Sequence, residues 1–203
     1  MTRFARLMLI GSLAWGLLFA PGTGYADEIL DQINEAIALY KQGDFSGAIA
    51  GLDFAMTQIR QLQAARFADA LPAALPGWQA EEAETMVMAG TMLGGGISAE
   101  RTYTKGDAEV DIELIGESPM LQGMLMMFNN PMMMSSSGKT LKRIKGQKAA
   151  WEYDADDRSG EITIVTHNVV LITVKGSNVD QDDLLAYAEA IDFDLIGELV
   201  SGN

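Results

Sequence analysis

Seven of the thirteen methionines, Met120, Met124, Met126, Met127, Met132, Met133 and Met134, fall within fifteen residues. A cluster of thioethers is the most unusual chemistry in this chain. If a helix starts at the Ser118-Pro119 pair, a hydroxyl cap followed by proline at the first helical position, then Met120, Met124 and Met127 share one stripe. Leu121, Leu125 and Phe128 form the stripe beside it. Three readings compete: a packed core element, because methionine fills irregular gaps; an adaptable docking surface for an apolar ligand or protein segment; and soft-metal binding, chiefly Cu(I), through Met120, Met124 and Met127. A second local peculiarity is a run of cations, Lys139, Lys142, Arg143, Lys145 and Lys148, on an otherwise acidic chain. It reads as a docking patch for an acidic partner or lipid headgroup, or as a solvated strand face that protects a sheet edge with lysine.

Other reactive residue types are scarce. There is no cysteine, so there is no thiolate chemistry and no disulfide, and His167 is the only histidine, which removes the usual ligand sets for zinc. No Gly-x-Ser-x-Gly elbow is present, and Ser135-Ser136-Ser137 reads as a loop. His167, next to Asn168, is expected to be a solvated hairpin residue. The acidic stretch at residues 154–161 places Arg158 and Ser159 where an EF-hand needs an oxygen ligand and glycine, so it is an acidic turn. Gly94-Gly95-Gly96 lacks the Lys-Ser/Thr of a phosphate loop and reads as a turn. No catalytic residue, resident metal or cofactor is expected.

The N-terminus shows a basic stretch with Arg3 and Arg6, an apolar run over residues 7–20 and small residues at Gly24 and Ala26. That is the pattern of a secretory signal cleaved after Ala26, and its apolar run is shorter than the roughly 20 residues a bilayer span needs. The expected location is a bacterial periplasm. Loss of Arg3 and Arg6 takes the formal charge from −14 to −16, a surface that repels phosphate backbones and argues against nucleic acid as a partner.

The elements that must carry these residues follow from periodicity. Ile29, Ile33, Ala36, Ile37 and Tyr40 lie on one helical face, and Phe45, Ala48, Ile49, Leu52, Ala55, Met56 and Ile59 form a second stripe after Gly43-Asp44. Residues 27–70 are therefore expected to be a helical hairpin. Residues 71–77, with Pro72 and Pro76, read as a helix stop and linker. Residues 78–203 then change to an alternating period, with strands expected over 97–104, 110–115, 140–144, 149–153, 161–167 and 169–174. The helix after Ser118 interrupts these strands, and a last helix carrying Leu184, Leu185, Tyr187, Ala188 and Ile191 closes the chain. The expected fold class is α+β: a helical hairpin followed by an antiparallel sheet with two helices.

Residues 36–49 resemble the middle of a tetratricopeptide repeat, with Gly43, Asp44 and Phe45 at the turn and Ala48 where the helices approach. A single repeat does not bury its own apolar face, so the resemblance implies packing on the rest of the chain or on another molecule. The order of strands and helices over residues 78–196, closing after Lys175-Gly176-Ser177, is similar to the PsbP-like family of exported α/β domains. That likeness of layout implies an accessory or assembly role and carries over no site residues. The expected function is a non-catalytic exported accessory protein that binds another periplasmic protein or an apolar ligand, with soluble Cu(I) handling as the alternative.

Overall fold

The computed structural model describes residues 23–88, 96–118, 120–128 and 138–201. Most of the expected leader, Gly94 and Gly95 of the glycine turn, Met132 to Met134 and the serine run lie outside the described residues. The chain falls into two compact units, Met1–Leu52 and Asp53–Asn203.

In the first unit, helix α1 (Thr23–Gln42) begins upstream of Asp27, directly after Pro21-Gly22. It ends at Gly43, whose φ of +84° suits a residue without Cβ, and the N–H groups of Gly43 and Asp44 bond back to the carbonyls of Tyr40 and Leu39 at 3.1 and 3.0 Å. Helix α2 (Phe45–Ala68) starts at once because Asp44 caps it: its side-chain oxygen accepts the Gly47 N–H at 2.9 Å. Small residues make the close approach. Ala36 and Ala48 are buried, and a Cβ added to Gly51 would lie 3.1 Å from the Ala36 Cβ. The unit boundary falls inside α2, so its second half belongs to the sheet unit, where Ala64 and Phe67 are in the core.

The second unit is built on an eight-stranded antiparallel sheet. Its strands are β1 (Gln79–Ala80), β2 (Glu84–Met88), β3 (Gly96–Lys105), β4 (Ala108–Gly116), β5 (Thr140–Ile144), β6 (Gln147–Asp154), β7 (Ser159–Thr166) and β8 (Val170–Ser177). The order is β1-β3-β4-β8-β7-β6-β5, with β2 also paired to β3. Turn chemistry sets the hairpins. Lys145 and Gly146 both take positive φ in the two-residue β5–β6 turn, as a primed turn requires. Asp154 accepts the N–H groups of Asp156 and Asp157 between β6 and β7. Strands β1 and β2 escape the alternation rule because they are short edge segments with mostly exposed residues, so burial imposes no period on them.

Helices cover both faces. On one side Ile112, Leu114, Ile162, Ile164 and Ile172 are fully buried beneath α4 (Gln181–Ala190), α5 (Phe193–Ser201) and the end of α2. The expected linker is built into this core: Leu71 is buried, the Tyr103 hydroxyl donates to the Pro72 carbonyl at 2.7 Å, and the Leu75 N–H donates to the Tyr187 hydroxyl at 3.3 Å. The single expected closing helix is two helices. Ile191 is extended, and Asp192 starts a new one by accepting the Leu195 N–H at 2.9 Å. On the opposite face, helix α3 (Met120–Phe128) packs Phe128 against Ala150 and Val165. The sheet unit therefore has three layers and one helix more than expected.

Candidate functional site

The hairpin keeps its own contact narrow. Because alanine and glycine bring α1 and α2 together, the larger apolar residues flanking that seam are left over. Leu30, Ile37 and Tyr40 of α1 and Phe45, Ile49 and Leu52 of α2 are 43–64% exposed, whereas Ile29, Ala36 and Ala48 are buried. Half-buried Ile33 completes a row on α1 at positions 30, 33, 37 and 40, with spacing three, four, three. The row on α2, at 45, 49 and 52, has spacing four, three, and the same rhythm continues in the second unit at Met56 and Ile59, which are also exposed. That is the rhythm of a helix seam that faces another helix. The Tyr40 and Phe45 rings meet edge to face at 5.7 Å, so both rows lie on the same side of the hairpin at its turn.

The electrostatics of this face are simple. Residues 45–52 carry no charge, and Asp31 and Glu35 stand two residues from Ile33 and Ile37, about 200° round the helix. Among the described residues the two rows themselves carry no polar group but the Tyr40 hydroxyl, with Lys41 and Asp44 bordering them at the turn, so the chemistry of the rows is apolar contact. Both amphipathic stripes are legible in the sequence. What the periodicity misses is that the hairpin contact uses only part of each stripe, and the signal for that is the small residues Gly47, Ala48 and Gly51.

The structure distributes the sequence-predicted residues among different settings. Leu121 and Phe128 are buried and Leu125 is half-buried, with Leu121 and Leu125 against Val165, Val169 and Leu171. This stripe of α3 is core. Met126 beside it is 77% exposed. Met120, Met124 and Met127 belong to the same helix, and their side chains lie outside the described residues.

The cations do not form one patch. Lys142 sits over the Trp151 ring at 4.3 Å, on the face of β5 that the register shares with Ala149, while Arg143 is paired opposite Lys148 on the other face. Lys139 bonds to the Glu161 carboxylate. Burial alone would raise the Glu161 pKa, but the hydrogen bond and charge of Lys139 hold it below its usual value. Lys145 is a turn residue with φ of +46°.

His167 is an exposed turn residue with φ of +51°, and its Nδ1 lies 2.8 Å from the Thr166 hydroxyl. No carboxylate is hydrogen-bonded to its ring among the described residues. The other polar concentration is on the sheet face that α3 shares. There burial and then the carboxylates of Glu113, Asp111 and Glu84 raise the Glu100 pKa, while Lys175 opposes them. Among the described residues no group of three His, Cys, Asp or Glu is arranged to hold a metal ion.

Among the described residues of the sheet unit, two clefts stand out. One of about 610 Å³ runs between the end of α2 and α5, beside Gln63, Arg66, Leu195 and Glu198. The other, about 470 Å³, is walled by the ion pairs Lys105–Asp183 and Arg158–Asp180. Neither places a Ser, Thr, Cys or His side chain beside a carboxylate. Among the described residues no helix is long and apolar enough to cross a membrane. No family model, curated protein or solved structure matches this chain.

Proposed function

We propose that this chain is an exported, non-catalytic docking protein whose hairpin binds an apolar helical surface of a protein partner. The observation that carries the reading is the double row of large apolar side chains, Leu30, Ile37, Tyr40, Phe45, Ile49 and Leu52, left exposed beside a close seam of Ala36, Ala48 and Gly51 with Ile29 and Leu39. Contiguous apolar surface on that scale marks an interaction site, and the heptad-like spacing suits helices rather than an extended peptide or a compact ligand. Export is supported by the basic, apolar and small-residue pattern of residues 1–26.

The test is a site-specific photo-crosslinker placed in the full chain, in the cells that make it, either at Ile49 on the apolar face or at Glu35 on the reverse of α1. Crosslinks to protein from position 49 and not from position 35 are expected. Equal yields from the two positions, or none from either, would overturn the docking reading.

A further inference from the structure

We infer that the surface docked on this hairpin is the same hairpin of a second copy, so that two chains join through a four-helix bundle; this rests on the docking reading above. Three observations carry it.

The first is geometry. Two antiparallel helices that close on an alanine seam and present two apolar rows on one side are half of a four-helix bundle. The missing half must be another two-helix apolar face with matching spacing, and every copy of the chain brings one. A two-fold axis through the face would set each row against its symmetry mate, as an isologous interface requires.

The second is charge. Self-association places like against like, so any charge on the contact face would oppose its own copy. Residues 45–52 have none, and Glu28, Asp31 and Glu35, spaced three and four apart, run along the reverse of α1. Three of the hairpin's acids therefore lie where a second copy would not meet them, while Lys41 and Asp44 stand at the turn, where the Asp44 carboxylate is engaged by the Gly47 N–H. A partner recognised by charge would instead leave complementary residues around the face.

The third is area. The six side chains are 43–64% exposed. Together they present on the order of 700 Å², close to the roughly 800 Å² per partner of a standard stable interface. Phe45 and Tyr40, at 60% and 64% exposure, supply aromatic anchors of the kind that dominate such interfaces.

The experiment is sedimentation equilibrium of the full chain across the micromolar range, with Ile49→Glu and Phe45→Glu as separate variants. The wild type is expected at the mass of two chains. Each variant is expected at the mass of one, with an unchanged circular dichroism spectrum, because both positions are exposed within the hairpin. A wild type that stays at one chain mass overturns the inference, as does a dimer that survives both substitutions. The photo-crosslinked product from position 49 separates this inference from the docking reading. An adduct of twice the chain mass supports both. An adduct with a different protein overturns the second copy and leaves docking standing, whereas an internal crosslink without mass increase, or no adduct, overturns both.

Discussion

Ile49 and Ile112 are the same residue type on strongly patterned elements, and one is 61% exposed while the other is completely buried. Ile112 lies on β4, where the sheet face is covered by helices of the same unit. Ile49 lies on α2, beside a seam that alanine and glycine already close. Amphipathic periodicity shows which side of an element avoids water, but not which molecule supplies the cover. In the sheet unit the cover is internal; at the hairpin, on the reading proposed above, it comes from a second chain.

The sharpest way to break this contrast is a paired truncation. Ile112→Ala is expected to destabilise the protein by about 2–5 kcal/mol, because the lost burial is compounded by a cavity under packed helices. Ile49→Ala, measured at a dilution where chains are separate, should stay within about 0.5 kcal/mol of wild type. Thermal melts of the two variants check this, and equal losses would show that the hairpin face is covered within its own chain. A second substitution asks whether the alanine seam sets the helix approach. Ala48→Leu is expected to overpack the buried contact and cost about 1–3 kcal/mol, read as a lower denaturant midpoint, while Ser46→Ala on the exposed first turn of α2 should be close to neutral. If Ala48→Leu melts like wild type, the seam is not what leaves the larger residues exposed.

The smallest expected effect concerns the polar part of the sheet. Glu100 stands directly opposite Glu84 and Glu113 in the ladders, and its folded pKa is raised. A raised folded pKa means that its protonated form favours the folded state. That contribution is present below the ordinary carboxylate pKa and is lost as pH rises through the raised value. Glu100→Gln is therefore expected to be more stable than wild type at neutral pH, with the difference vanishing in acid. Melts at the two pH values check the sign; a variant less stable at neutral pH would show that Lys175 outweighs the acidic neighbours.

Much of the architecture is legible locally. Gly43-Asp44 marks the hairpin turn because one residue supplies the left-handed backbone and the next supplies the cap. Strands β3, β4 and β6 to β8 follow from alternation, since each has one face in the core. The misses share a cause. Edge strands β1 and β2 bury too little to show a period, and the break at Ile191-Asp192 between α4 and α5 depends on one backbone torsion and one side-chain cap within an apolar stretch. At the candidate site both apolar stripes were legible, but not their division into a closed seam and an exposed remainder.

Residue type and spacing alone determined that this chain has no cysteine chemistry, a single histidine, an acidic balance and two amphipathic helices ahead of a strand-rich region. Those properties are local, and a helix or strand expresses them wherever it packs. Only the tertiary structure decided that Leu121 and Phe128 of the methionine-rich helix are core while Leu30, Ile37 and Ile49 are surface, and that Lys142 and Arg143, neighbours in sequence, work on opposite faces of an edge strand. The reason is that burial is a relation between distant segments. Leu121 is covered because β7 and β8 bring Val165 and Leu171 beneath it, whereas the rows at 30–40 and 45–52 are left in water because their own contact closes on alanine and glycine.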